Sequence, residues 1–405
     1  MSPVQVRPAA LKIFVYLKGD RLNLTKREEK ILEGGEGPGP QKAMEILVAL
    51  GDIYEADRLI PVESAQIAGV SYKTMGDAGL EFIEDFSKKA EVKVKSMLNP
   101  AGMDLDNKHY ESDEFRNKQK RLIEAYRSMG IELSCTCTPY LAGNKPEKGE
   151  HIAWSESSAV SYANSVLGAR TNREGGPSAL MAAVIGKTPY YGLHIKENRS
   201  PDIVFEIKGE VPAALLGYKI GGIVGDDIPY FRGIRYDNDE LKSLGAAMAA
   251  TGSVALYHVK NITPEWNDFS TEDLETITIT EKDIQEIKDK IITDEEPEVI
   301  VLGCPHLSSE ELKAIAEILD DKEPAEGPDL LVYTSRYVVN KVPEAVKSIK
   351  RYGEVIADTC MVVSPLEDKY KVAATNSGKA AAYLPKLAGQ KVIYADTKTL
   401  LEMIA

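Results

Sequence analysis

The chain has 405 residues, a formal net charge of −14, 43% hydrophobic and 28% charged residues; it is too long for one small core, and two or three domains are expected. The acidic balance speaks against nucleic acid or an anionic membrane as the main partner, while leaving room for a local basic pocket around an anionic small-molecule substrate. No apolar run approaches the ~20 residues needed to cross a bilayer, and four cysteines are too few for a disulfide scaffold, so a cytoplasmic protein with reduced thiols is expected.

Residues 1–20 read as an N-terminal extension to which no chemistry is assigned. Thr25 and Glu28 stand three apart as a capping box that opens a helix. The spacing of Ala43, Met44, Ile46, Leu47 and Leu50 predicts a second helix over 41–56. Strand-to-loop units follow: 58–62 into 64–71, 92–94 into 97–102, and 131–133 into the loop of Cys135 and Cys137, with a helix over 113–129. This alternation predicts a parallel sheet and a first α/β domain over 21–150.

Residues 151–296 are rich in Gly, Ala and Ser and are expected to form a central α/β domain. Within it, polar alternation over 202–207 suggests an antiparallel strand, and the charged stretch 264–297 a linker with a solvated helix. The stretch 297–405 is the most regular. Strands at 298–302, 329–334, 354–357 and 391–395 alternate with helices at 308–319, 342–351, 377–387 and 397–404, the first opened by a Ser308/Glu311 capping box. That pattern predicts a doubly wound α/β domain, so the expected class is a multi-domain α/β fold of parallel or mixed sheets flanked by helices.

In such sheets ligands bind beyond the carboxyl ends of the strands. Cys304 and Cys360 both stand at predicted strand ends, on one rim, and Cys137 lies on an equivalent turn. Three thiolates that meet in one crevice can hold an iron–sulfur cluster. The alternatives are thiols buried as small hydrophobes, or a zinc site using Cys304 and His306 of Gly303-Cys304-Pro305-His306, for which the usual paired local ligands are missing. Cys135 and Cys137 are two apart, so either can ligate, and Cys137 is preferred for its place beside the Pro139 turn. Three segments can offer anion nests or a guanidinium: Ala68-Gly69-Val70-Ser71, Asn172-Arg173-Glu174-Gly175-Gly176 and Asn376-Ser377-Gly378-Lys379.

Several of these segments, with Cys137-Thr138-Pro139-Tyr140, the run His151-Ile152-Ala153-Trp154-Ser155-Glu156-Ser157-Ser158, Gly168-Ala169-Arg170-Thr171 and Gly303-Cys304-Pro305-His306, resemble the aconitase X family over residues 22–405. The resemblance implies an aconitase-like fold of three α/β domains around a [4Fe–4S] cluster held by Cys137, Cys304 and Cys360. It implies dehydration of (R)-5-phosphomevalonate to trans-anhydromevalonate 5-phosphate in a modified mevalonate pathway of isoprenoid synthesis. A separate small subunit is implied to supply a swivelling domain and the base, so no base is named in this chain. Substrate contact is then expected at Gly69, Val70, Ser71, Asn99, Pro100, Arg173 and Lys379, with His151 and Glu174 as second candidates. An alternative within the family is a cis-3-hydroxy-L-proline dehydratase, and one of a different class is a noncatalytic iron–sulfur sensor or binding protein.

Overall fold

The computed structural model describes residues 22–291, 293–320 and 322–405. The extension expected over residues 1–20 lies outside the described residues. The capping box at the start of the helix Lys26–Leu32 is present, with Thr25 and Glu28 each bonding the other's backbone N–H.

The first unit is built on strands β1 (Leu59–Pro61), β2 (Ser64–Ile67), β3 (Lys95–Leu98), β4 (Ala153–Trp154) and β5 (Lys187–Pro189). A parallel sheet has the order β3-β2-β4, and β1 pairs antiparallel with β5. Helices Pro38–Ile53, Tyr72–Ser87, Asp113–Ser128 and Gly176–Ile185 bury their apolar faces against it in one core. The division expected at residue 150 falls between strands of this unit, because 151–189 returns to pair with β1 and β2.

The second unit carries β6 (Ile203–Lys208), β7 (Pro229–Arg232), β8 (His258–Val259) and β9 (Thr276–Thr280), in the order β8-β7-β6-β9. Every pairing is parallel, so 203–208 is not the antiparallel strand its alternation suggested. Alternation reports unequal burial of two faces; strand direction is set here by the crossover helix Ala213–Val224 between β6 and β7. The stretch expected to be a linker supplies β9, whose Thr-Ile-Thr-Ile-Thr pattern suits a sheet edge, and then the helix Glu281–Lys288.

The third unit has β10 (Val299–Leu307), β11 (Asp329–Thr334), β12 (Glu354–Ala357), β13 (Val372–Thr375) and β14 (Lys391–Tyr394). All pairings are parallel in the order β12-β11-β10-β13-β14. Both faces are covered, as a parallel sheet requires. Val299 and Val301 face a core shared with the second unit, whereas Ile300 and Leu302 face a core with helices Ser309–Leu319, Pro343–Ile349 and Thr397–Leu401. The chain runs from β10 to one edge and then returns to β13 on the other side, so strand order reverses between β10 and β13. Among the described residues no helix is long and apolar enough to cross a membrane.

Candidate active site

The reversal point is where a doubly wound sheet opens a crevice. There a cavity of about 250 Å³ is lined by Cys304 from β10, Cys360 from the loop after β12, Lys379 from the helix after β13, and Asn99, Pro100, Cys137, Glu156 and Arg173 from the first unit. Three of the four cysteines thus meet in one cavity, all as free thiols.

Each thiol is delivered by a departure from regular structure. Cys304 lies in an irregularity of β10, where the register against β11 shifts between Leu302 and Leu307. Gly303 there has φ +103°, and a Cβ on it would stand 2.1 Å from the Tyr333 carbonyl oxygen, so only glycine fits. Cys360 follows Asp358, a non-glycine residue at φ +63° whose carboxylate is held by Arg336 at 2.6 Å. The main-chain carbonyl of Asp358 accepts from Ala101 N–H at 2.8 Å, which ties the loop to the first unit. Cys137 sits in a segment anchored by Thr136 N–H to Leu98 O at 3.0 Å and by Gln66 Nε2 to Thr136 O at 2.9 Å.

Burial pushes the Cys304 thiol up to about 12 against the pull of Lys379. It raises Cys137 and Cys360 as well. Three soft thiol donors lining one cavity, none tied up in a disulfide, are the donor type an iron–sulfur cluster takes. Among the described residues no three His, Cys, Asp or Glu side chains stand together so as to hold one ion. Three thiols entering one cavity from separate loops suit an iron–sulfur cluster, in which each sulfur holds a different iron. Cys135 is fully buried in the core of the first unit and does not line the cavity.

Opposite the thiols lies an ion pair between Lys379 Nζ and Glu156 Oε1. Glu156 caps the helix Ser157–Tyr162, and its other oxygen accepts from Asn99 Nδ2 at 2.6 Å. Burial opposes the Glu156 charge, but Lys379 and Asn99 hold its pKa at about 2. Lys379 also donates to Ser158 Oγ at 3.1 Å and is 6% exposed. It is not the exposed lysine that a helix start usually displays. Glu156 belongs to the His151–Ser158 motif, and the signal for it in the sequence is a carboxylate at a helix N-cap.

Of the expected substrate contacts, Asn99, Pro100, Arg173 and Lys379 line the cavity. Gly69, Val70 and Ser71 do not. Ser71 caps the helix Tyr72–Ser87 and donates to Val363 O at 2.7 Å, while the carbonyls of Gly69 and Val70 accept from Tyr126 and Gln119. His151 also lies outside the lining, with Nδ1 3.0 Å from Nδ1 of buried His194. Glu174 is buried beneath the helix Gly176–Ile185, accepting from Ser178 at 2.5 Å and Thr188 at 3.1 Å, and burial raises its pKa. His306 spends both ring nitrogens on protein partners, Thr136 Oγ1 and Thr359 O, which leaves neither free for a metal.

Three family models match in chain order: aconitase X first domain over residues 21–197, second domain over 201–289 and third domain over 297–405. The chain is 52% identical over 401 residues to the phosphomevalonate dehydratase large subunit of Methanocaldococcus jannaschii, covering 94% of this chain and 99% of that one. It is 30% identical over 426 residues to the cis-3-hydroxy-L-proline dehydratase of Pseudomonas aeruginosa, covering 99% of this chain and 72% of that one. The crystal structure of Thermococcus kodakaraensis aconitase X in its holo-form matches with a TM-score of 0.89 at 49% identity, covering 95% of this chain and 100% of that one.

Proposed function

This chain belongs to the aconitase X family, and we propose that it is the large subunit of a phosphomevalonate dehydratase. As a hydro-lyase it removes water from (R)-5-phosphomevalonate to give trans-anhydromevalonate 5-phosphate, a step of the modified mevalonate route to isoprenoids. The observation that carries this reading is 52% identity spread over 94% of the chain to a relative bearing that name. The hydroxyproline dehydratase is more distant at 30%, and this chain spans only 72% of it.

Cys137, Cys304 and Cys360 would hold a [4Fe–4S] cluster in the cavity they share. Bound there with one iron free of protein ligands, the cluster supplies a Lewis acid that makes the substrate hydroxyl a better leaving group. Arg173 and Asn99 offer a guanidinium and an amide to the anionic ends of the substrate, and Lys379 adds a cation already half-committed to Glu156. Glu156, held ionised at about 2, is a poor proton acceptor. The relatives' name, large subunit, supports a separate small subunit as partner, to which we assign the swivelling domain and the base that removes the proton beside the carboxylate. The free state of all four cysteines supports a cytoplasmic location.

The test is anaerobic co-purification with the small subunit, iron and sulfide analysis, and assays on (R)-5-phosphomevalonate and cis-3-hydroxy-L-proline. Turnover of the first substrate is expected. Turnover of the second alone moves the chain to the other activity. A loaded cluster with neither turnover leaves a sensor, and no iron after reconstitution sinks the cluster.

A further inference from the structure

We propose that His306 is a positioning residue that holds the three cysteine-bearing segments in one arrangement for the metal group. The inference rests on the cluster reading above and concerns a side chain that touches neither metal nor substrate. His306 is fully buried, two residues past Cys304. Its Nε2 lies 2.7 Å from the carbonyl oxygen of Thr359, the residue before Cys360. Its Nδ1 lies 3.0 Å from Oγ1 of Thr136, the residue before Cys137. Its own backbone N–H points at Cys137 Sγ, 3.2 Å away.

A carbonyl only accepts, so Nε2 carries the ring proton; in the neutral ring Nδ1 then accepts from the Thr136 hydroxyl. One imidazole thus spans the first and third units, with each ring bond falling on the neighbour of a thiol. Lys242 Nζ, 3.4 Å from the His306 carbonyl oxygen, steadies the same turn from the second unit. An aliphatic residue of similar size would fill the space but take the ring donor from the Thr359 carbonyl in a dry interior, and leave the Thr136 hydroxyl bonded only to Thr138, so that nothing ties the Cys137 segment to the Cys360 loop there. Outer partners that orient ligands in this way are typically worth about 10–100-fold in metal affinity.

The measurement is release of iron from the anaerobically reconstituted large–small complex to an excess of ferrous chelator, followed by loss of visible absorbance. His306→Ala is expected to release iron about 10–100-fold faster than wild type, with unchanged far-UV circular dichroism and small-subunit binding. His306→Gln, whose amide can still donate toward Thr359, should recover part of the difference. Wild-type release rates in His306→Ala overturn the inference alone, whereas a wild-type protein that takes up no iron overturns the cluster reading with it. If His306→Ala fails to fold, Thr136→Val decides: faster release supports the role, and an unchanged rate overturns it.

Discussion

Glu156 and Lys379 form an ion pair between the first and third family domains, inside the cavity that Cys137, Cys304 and Cys360 share. Both side chains are largely withdrawn from water, at 13% and 8% exposure, so each charge depends on the other. Lys379→Met should cost about 3–5 kcal/mol of stability by leaving a buried carboxylate unpaired. The double variant Lys379→Met/Glu156→Gln should regain most of it. Denaturant unfolding of the four proteins measures the coupling, and simple additivity would refute it.

The cysteines should divide three to one. Cys137→Ser, Cys304→Ser and Cys360→Ser are each expected to abolish iron binding, because each thiol lines the cavity. Cys135→Ser should keep full iron and sulfide content, its thiol being in the core of the first unit. Bleaching by Cys135→Ser alone would reverse the assignment.

Arg173 lines the cavity and donates to the Ala249 carbonyl at 3.3 Å, and among the described residues its guanidinium keeps further donors for an anion. Arg173→Ala should lower kcat/KM by about ten- to a hundred-fold, corresponding to about 1.5–3 kcal/mol for a charge-assisted bond. Iron content should not change. An unaltered kcat/KM would remove Arg173 from the substrate site.

Acid should weaken the fold in a defined window. Burial holds His194 at about 3 in the folded chain, against an ordinary value of 6.5. Between those values the unfolded chain binds the proton and the folded chain does not, so stability falls as pH drops below about 6.5. Glu156 acts in the same sense lower down: its folded value of about 2 lies below the ordinary 4.5, so its contribution is present above 4.5 and lost toward 2. Urea midpoints measured from pH 7 to 4 should decline steadily. His194→Gln should flatten the upper part of that slope, and an unchanged slope would rule His194 out as its source.

Much of the third unit was legible because its signals are local. The Ser308/Glu311 capping box is formed as expected, and the apolar runs at 299–302 and 330–333 mark strands covered on both faces. The direction of 203–208 was not legible, since alternation is blind to strand direction. Nor was the end of the first unit, because residues 187–189 return to pair with 59–61 across more than a hundred residues of chain.

By itself the sequence determined the α/β class, the place of Cys360 just past a strand end and the motifs shared with one family, all properties of short segments, whereas Cys304 lies within β10, which runs on to Leu307, rather than past its end. Only the tertiary structure decided which cysteines share a cavity, that Lys379 is bound to Glu156 223 residues away, and that His306 bridges Thr136 and Thr359 rather than binding metal. Those are meetings of side chains from separate units, and burial makes each depend on partners that no local pattern encodes.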